Sequence, residues 1–176
     1  MQRQITLYPR RKHIRIDHAA YAEPTAICAI TIATRDRQPI FLDFDLTAAC
    51  ADLLVERAAS RDVTIYAYCF MPNHVHLLLS PSERTTLIDF IREFKSLSTR
   101  LAWQHDYVGK LWQESFYDHF LRKDEDLRRH IEYILNNPVR QDIVADWRQY
   151  PFSGALNYDE AAGDEPPPYH LPDRGT

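Results

Sequence analysis

The sequence predicts an α+β domain with a ferredoxin-like, split βαβ arrangement. Apolar patterns follow one another in the order strand, helix, strand, strand, helix, strand, which is the βαββαβ order of such domains. The second and third strands are separated only by Met71-Pro72-Asn73, as in a hairpin. One further helical pattern follows the last strand. We therefore expect an antiparallel sheet with an additional C-terminal helix.

The first half of the chain supplies three strands and one helix. Thr25 to Thr34 is rich in β-branched and small apolar residues, which is typical of a central strand. Leu46 to Ala59 has apolar residues at helical spacing. Asp62 to Phe70 and Asn73 to Ser80 are the next two strands. Pro72 suits their connection because proline cannot donate a hydrogen bond to a strand ladder.

The second half alternates two helices with one strand. Pro81-Ser82 is expected to open the second helix, whose apolar stripe runs from Leu87 to Leu101. Leu111 to Leu121 is predicted to be a fourth strand with an irregular start. The third helix is predicted over Asp124 to Asn136, with Asp124 as its N-cap. Pro138 ends it, because the residue before a proline is disfavoured in the α region.

Charge divides the chain into three parts, although the net charge is only −4. Residues 1–24 form a basic arm with the cluster Arg10-Arg11-Lys12-His13, and residues 25–156 form the domain. Residues 157–176 hold five acids, one base and three consecutive prolines, and are predicted to be a disordered tail. Because the acidic tail accounts for the whole net charge, local DNA binding by the remainder is not excluded.

The cysteines and the hydropathy indicate the compartment. Cys28, Cys50 and Cys69 lie in apolar segments without metal-site or redox-motif spacing, so we expect buried, reduced thiols. The chain has no run of about 18 apolar residues, so no membrane span is predicted. These features together predict a reducing, cytoplasmic environment.

Two histidines on the third predicted strand form the first candidate site. Residues two apart on a strand point to the same face, so His74 and His76 project together. Two neutral imidazoles on a rigid strand can bind a metal ion and leave positions open for a substrate. The alternative is that one histidine faces the core and the other is a partnered polar residue.

A tyrosine and an asparagine on the third helix form the second candidate pair. Tyr133 and Asn137 are four residues apart and therefore share one helix face. If that face lies over the histidine strand, the site gains a phenol nucleophile and a hard oxygen ligand suited to Mg²⁺ or Mn²⁺. The alternative is a half-buried helix tyrosine beside a residue of the helix C-terminus.

Taken together, these segments resemble a known family. The stretches Tyr68 to His76 and Tyr133 to Arg140, in this order, resemble the single-tyrosine HUH transposases, and more closely their REP-associated branch. The stretches Trp112 to His119 and Asp146 to Ser153 are also similar to that branch. The resemblance covers roughly residues 20–153.

The resemblance implies roles for four residues, and one further histidine is a candidate. His74 and His76 become ligands of Mg²⁺ or Mn²⁺, and Asn137 occupies a third-ligand position that glutamine commonly fills in related insertion-sequence transposases. Tyr133 becomes the nucleophile that forms a 5′-phosphotyrosine link and frees a 3′-hydroxyl. His119 is a candidate helper in proton transfer or a structural residue.

The implied partner is single-stranded or hairpin DNA resembling a repetitive extragenic palindrome. Arg10, Arg11, Lys95 and Arg122 are candidate phosphate contacts. Trp112 either stacks on a base or lies in the core. Relatives differ in whether the tyrosine helix serves its own chain or a partner's, so the sequence leaves a monomer and a homodimer open.

Four other functions remain open from the sequence. The first is a replication initiator or relaxase of the HUH type, which uses the same chemistry. The second is a domesticated protein that binds repeat hairpins without moving DNA. The third is a ferredoxin-like RNA-binding module in which the two histidines are coincidental. The last, a structural zinc site, lacks the usual cysteine ligands.

Overall fold

The computed structural model describes residues 18–122 and 126–156, which contain a five-stranded sheet in the order β4-β1-β3-β2-β5. Every strand pair is antiparallel. The strands are β1 (Cys28–Ala33), β2 (Thr64–Met71), β3 (His74–Ser80), β4 (Tyr117–Phe120) and β5 (Ser153–Ala155). The helices are α1 (Phe44–Ser60), α2 (Leu87–Gln104), α3 (Leu127–Leu135) and α4 (Asn137–Arg140). The predicted βαββαβ order and the additional C-terminal helix are confirmed.

One face of the sheet packs against α1 and α2. Val75, Leu77 and Leu79 of β3 point to this face and are fully buried. Phe70 of β2 lies on the same face and packs edge-on against Phe94 of α2, with ring centroids 6.4 Å apart. Burial of these apolar side chains is the main stabilising contribution to the fold.

Side-chain caps set the starts of the helices. The side chain of Asp43 accepts a hydrogen bond from the amide of Leu46 at the start of α1. Thr86 accepts one from the amide of Asp89, so α2 begins at Leu87 and not at Pro81-Ser82 as expected. Ser82 instead binds the amides of the turn before the helix.

The third helix starts slightly later than expected. The side chain of Asp126 caps α3 by accepting a hydrogen bond from the amide of Arg128. The predicted cap, Asp124, lies outside the described residues. Beyond Asn136 the chain continues as the short helix α4, which has Pro138 in its first turn, where proline is tolerated.

The fourth strand is much shorter than predicted. Only Tyr117–Phe120 pairs as β4, and Trp112 makes a single bridge with Thr34. The Trp112 ring is 5% exposed, and its indole N–H donates to the hydroxyl of Ser98 over 2.8 Å. The segment before β4 is therefore held by side chains of the core rather than by a continuous ladder.

The fifth strand was not predicted. Ser153–Ala155 pairs with β2 along the outer edge of the sheet. Gly154 lies opposite Tyr68, and a Cβ atom at Gly154 would come within 2.8 Å of the Tyr68 ring. Nearby, the buried Tyr150 hydroxyl donates to the carbonyl oxygen of Phe70 over 2.6 Å. These contacts join the segment after α4 to the sheet.

The described part of the predicted arm belongs to the packed domain. Tyr21 is buried, and its hydroxyl donates to Asp118 Oδ2 on β4 over 2.8 Å. The arm's residues 1–17, including Arg10 and Arg11, and the predicted tail at residues 157–176 lie outside the described residues.

Two predictions about composition can also be compared with the structure. All three cysteines are buried and free, as predicted. Within residues 18–122 and 126–156, no helix is both long and apolar enough to cross a membrane.

Candidate active site

The two histidines of β3 face each other across a narrow gap. Their side chains leave the strand on the same face, as their spacing predicts. The Nε2 atom of His74 lies 3.0 Å from the Nε2 atom of His76, and the two rings meet nearly edge to face. His74 is 9% exposed. The two nitrogens that most often bind metal ions therefore converge on one point.

The remaining ring nitrogens are held by neighbouring side chains. His74 Nδ1 lies 2.6 Å from Asn73 Oδ1, which can only accept, so Nδ1 carries the proton and Nε2 keeps its lone pair. His76 Nδ1 lies 2.9 Å from the hydroxyl of Thr31 on β1. Such contacts fix the ring orientation and tautomer of metal-binding histidines.

Burial keeps both imidazoles neutral. It lowers the pKa of His74 to about 4, with a further contribution from the positive charge of Arg37. Burial also lowers the pKa of His76 to about 3, together with the charges of His74 and Arg140. Neutral imidazole is the form that binds metal ions, so both side chains are ready ligands at pH 7.

The spacing of the two Nε2 atoms fits a shared divalent ion. Two adjacent ligand atoms of an octahedral ion, each at about 2.1 Å, lie about 3.0 Å apart. The observed separation is 3.0 Å. Across the described ranges, no three His, Cys, Asp or Glu side chains form a group able to hold a metal. Among the described residues, a third protein ligand would therefore be of another residue type.

The strand pairing shows which helix covers the histidine face. Thr31 pairs with both His76 of β3 and Tyr117 of β4, so His119, two residues after Tyr117, also lies on this face. The His119 ring is nearly parallel to that of His130 on α3, with centroids 6.2 Å apart. Helix α3 also contacts β2, β3 and β5. It therefore packs on the sheet face that carries the histidines.

Tyr133 lies on α3, and Asn137 begins the next helix, α4. Tyr133 is half-buried, and the Arg140 guanidinium lies 4.4 Å from the centre of its ring. Asn137 is buried, and its amide nitrogen donates to the carbonyl oxygens of Tyr133 and Ile134 over 3.0 and 3.3 Å. These bonds engage the nitrogen and leave Oδ1 as the atom that could serve as a ligand.

Most of the predicted site residues thus lie on this sheet face or on the helices next to it. His74 and His76 lie on β3, Tyr133 lies on α3, and Asn137 begins α4. His119 is on the same face, but one strand, β1, separates it from the histidine pair. Its neighbour is His130.

The predicted DNA contacts are placed elsewhere. Trp112 packs between Phe41 and Phe94 on the opposite face, so it has the core role and cannot stack on a base. The Lys95 ammonium donates to the main-chain carbonyls of Gln113 and Glu114, and burial lowers its pKa. Arg122 is exposed just after β4.

Four residues of this region were missed by the sequence reasoning. Asn73 directly precedes the histidine pair, and Arg140 ends the quoted tyrosine segment, so both had a local signal. Thr31 contacts His76 only because of strand register, and the charge of Arg37, in a loop, lowers the pKa of His74. No short-range pattern reveals the last two.

Comparisons with known proteins point to one family of transposases. A family model described as "Transposase IS200 like" matches residues 25–137. The chain is 32% identical over 98 residues to a protein of Haemophilus influenzae named "Putative REP-associated tyrosine transposase", covering 49% of this chain and 56% of that one. It is 26% identical over 100 residues to the "REP-associated tyrosine transposase" of Escherichia coli K12, covering 57% and 59%.

The fold is also found in a solved structure. A structure described as a REP-associated tyrosine transposase bound to a REP hairpin superposes with a TM-score of 0.61 at 23% identity, over 83% of this chain and 81% of that chain. At this identity the likeness concerns the fold alone. The matched regions span only 56% and 59% of the lengths of the two curated relatives.

Proposed function

Because this chain belongs to the IS200-like family of transposases, we propose that it cleaves and rejoins single-stranded or hairpin DNA through a phosphotyrosine intermediate. Tyr133 is the nucleophile of this reaction. His74 and His76, with Asn137 as the third ligand, hold a divalent Mg²⁺ or Mn²⁺ ion. The names of the two curated relatives support this reaction class.

One observation carries the proposal. The Nε2 atoms of His74 and His76 converge at 3.0 Å on the sheet face that is covered by the tyrosine helix. Two histidines without a shared function would not be expected to combine converging Nε2 atoms, neutral rings and a tyrosine on the helix that covers them. The arrangement is what a metal-assisted nucleophilic substitution at phosphorus requires.

The residues of the chain account for each part of the chemistry. The phenol oxygen of Tyr133 loses its proton and attacks phosphorus, and the bond from phosphorus to the 3′ oxygen breaks. The leaving oxygen takes up a proton and becomes a 3′-hydroxyl, while the 5′ phosphate stays on the tyrosine. Since one phosphodiester replaces another, a 3′-hydroxyl can later reverse the step and join a new strand. The contacts of α3, the helix that carries Tyr133, with β2 and β3 support this role for the phenol.

When bound, a divalent ion supplies polarisation of the non-bridging phosphate oxygens and offsets the negative charge that develops there. Asn73 and Thr31 hold the two histidine rings in the orientation that directs Nε2 toward such an ion. Asn137 contributes its Oδ1 atom, a hard ligand suited to magnesium or manganese.

His119 is proposed as a helper in proton transfer. It lies on the histidine face of the sheet, on β4. Its near-parallel packing against His130 favours the structural alternative. If it moves a proton, His119→Gln slows cleavage at unchanged stability and DNA affinity. If His119 only supports the packing of α3, His119→Gln lowers the stability of the fold, and any loss of cleavage follows from that.

The tyrosine is proposed to act within its own chain. The contacts of helix α3 with β2 and β3 of the same chain support this arrangement. Arg10, Arg11 and Arg122 remain proposed phosphate contacts. The DNA is proposed to be a hairpin with single-stranded flanks, because the curated relatives are named REP-associated and the solved structure of similar fold is described as bound to a REP hairpin.

A covalent-capture assay tests the proposed function. A repeat hairpin from beside the gene, labelled on the 3′ side of the cut, is incubated with the protein and Mg²⁺ or Mn²⁺ and run on a denaturing gel. We expect a labelled adduct that is lost with a chelator. A hairpin that binds tightly without forming an adduct would support a repeat-binding protein without cleavage.

A further inference from the structure

One row of residues crosses the sheet from the histidine strand to the edge strand β4. His76 of β3 pairs with Thr31 of β1, and Thr31 pairs on its other side with Tyr117 of β4. Residues directly opposite each other in antiparallel strands have their side chains on the same face. The Thr31 hydroxyl contacts the His76 ring over 2.9 Å, so the row lies on the histidine face. The side chain of Tyr117 therefore lies on that face as well.

This row is the open part of the histidine face. All six residues of β1 are buried except Thr31, and all seven residues of β3 are buried except His76. Helix α3 packs on β2, β3 and β5 and meets β4 at His119, two residues beyond Tyr117. Among the described residues, the sheet surface between His76 and the β4 edge is therefore partly open to solvent.

Tyr117 ends the row with an exposed aromatic ring. The residue is 52% exposed, and among the described residues its side chain forms no hydrogen bond, ion pair or ring contact. Two other exposed aromatic residues do have contacts, since the Phe44 ring packs against Phe152 and the Trp103 indole donates to the carbonyl oxygen of Gly109. A single exposed aromatic residue is ordinary on a protein surface. Tyr117 is distinguished by its place in the row that leads to His76.

The length of the row suits a nucleotide beside the cleavage site. Neighbouring strands lie about 4.8 Å apart, so the main chains of Tyr117 and His76 are separated by about 10 Å. An unpaired base next to the phosphate over the histidines can reach across Thr31 to the Tyr117 ring. A base inside a duplex is held by its pair and by its stacked neighbours, so it cannot lie flat on the ring.

We propose that Tyr117 is the stacking platform for an unpaired base next to the scissile phosphate. The strand leaves the histidine pair along the row, and its base lies on the Tyr117 ring at the β4 edge of the sheet. Every base has a π-face, so this contact selects unpaired DNA and not a particular sequence. The inference rests on the proposed function and deepens it, because it names a residue through which the site prefers single-stranded DNA. Tyr117 thus has the role that Trp112, in the core, cannot have.

Hairpin affinity tests the platform. Fluorescence anisotropy measures binding of a repeat hairpin with single-stranded flanks to protein that carries Tyr133→Phe, which prevents cleavage. Tyr117→Thr removes the ring and keeps a residue suited to a strand. We expect about five- to a hundredfold weaker binding, because stacking of one base on an aromatic side chain contributes about this much. Tyr117→Phe and Tyr117→Trp keep an aromatic ring and should bind as tightly as the parent or more tightly.

An abasic scan identifies the base that stacks. An abasic residue replaces each unpaired nucleotide of the flanks in turn, and affinity is measured for the parent and for Tyr117→Thr. In the parent, one position should lose about as much affinity as Tyr117→Thr loses with the intact hairpin. The same abasic position should cost Tyr117→Thr almost nothing more, because ring and base form a single contact. If Tyr117 only supported the fold, the two losses would multiply.

Trp103→Gln is the matched control, because it removes another exposed ring, on α2, which packs on the opposite face of the sheet. Its hairpin affinity and its abasic scan should equal those of the parent. Unchanged affinity in Tyr117→Thr, or a loss that multiplies with every abasic substitution, would overturn the inference.

The covalent adduct is scored separately, with Tyr133 intact. An adduct in the absence of ring–base coupling would keep the proposed function and remove only the role of Tyr117. A hairpin that binds without forming an adduct would contradict the proposed function, whatever the coupling.

Discussion

The side-chain oxygen of Asn73 lies 2.6 Å from Nδ1 of its neighbour His74. An asparagine at the tip of a hairpin thus sets the tautomer of the first buried histidine of the strand that follows. The result is that Nε2 of His74, and not Nδ1, presents its lone pair toward His76. The local sequence Asn73-His74 therefore contains both the proposed ligand and the residue that orients it.

Asn73→Ala should weaken divalent-ion binding without unfolding the protein. Loss of the accepting oxygen frees the His74 ring to rotate and to change tautomer, and such changes typically reduce metal affinity by about 10- to 100-fold. Mn²⁺ titration with the hairpin present measures the effect. Asn136→Ala, which removes an amide bonded to Glu132 of its own helix, is the matched control. Equal Mn²⁺ affinity in Asn73→Ala and the parent would contradict the assigned role.

Stability without metal should fall as the pH drops below 6.5. The folded-state pKa values of His74 and His76 are lowered to about 4 and about 3, from an ordinary value of 6.5. Between these values the unfolded chain binds protons that the folded chain does not, so stability is complete above pH 6.5 and is lost on acidification. We expect a loss of about 2 kcal/mol per histidine between pH 6.5 and 5.

Urea denaturation in chelator at pH 7 and 5 measures this loss. His76→Gln should remove roughly half of the pH-dependent loss in the free energy of unfolding. An identical pH dependence in His76→Gln and the parent would show that the pair is not the cause.

Trp112→Phe should destabilise the fold and leave DNA affinity unchanged. The substitution removes buried ring volume and the hydrogen bond to Ser98, at a cost of about 1–3 kcal/mol. Trp103→Phe is the matched control, because Trp103 is 55% exposed and should cost less than about 0.5 kcal/mol. Urea denaturation and hairpin-binding titrations measure the two properties. Weaker hairpin binding by Trp112→Phe at full stability would restore the base-stacking role.

Lys95→Met should also act on stability. Its ammonium binds the carbonyl oxygens of Gln113 and Glu114, so the variant loses charge-assisted hydrogen bonds worth about 1–3 kcal/mol. Lys110→Met, which removes an exposed lysine near Glu114, is the control and should have little effect. The salt dependence of hairpin binding should be the same in both. A shallower salt dependence for Lys95→Met alone would identify Lys95 as a phosphate contact.

The order of elements could be predicted because periodicity is local. The alternating pattern of β3 and the helical stripe of α2 each depend on residues within one element. The strand β5 could not be predicted from local periodicity, because its three residues form a strand only by pairing with β2, more than eighty residues earlier. The length of β4 was overestimated because Leu111 and Trp112 are buried in the core, and their apolar character does not reflect pairing in a strand ladder.

The candidate site could also be predicted from the sequence only in part. Two histidines one residue apart on a strand, and Tyr133 one helical turn before Asn137, are local spacings that a sequence displays. That α3 covers the histidine face, and that Thr31 reaches His76, depends on strand register and helix packing. Family resemblance identified the tyrosine, whereas only the structure shows that the charges of Arg37 and Arg140 lower the pKa values of the histidines.

The most direct test of the account identifies the residue that carries the DNA. The covalent adduct formed with Mg²⁺ or Mn²⁺ is digested with nuclease and protease, and mass spectrometry locates the tyrosine that bears the nucleotide phosphate. We predict Tyr133, with no adduct in Tyr133→Phe and a strongly reduced yield in His76→Ala. A nucleotide on another tyrosine, such as the exposed Tyr117, or an undiminished adduct in Tyr133→Phe, would contradict the account.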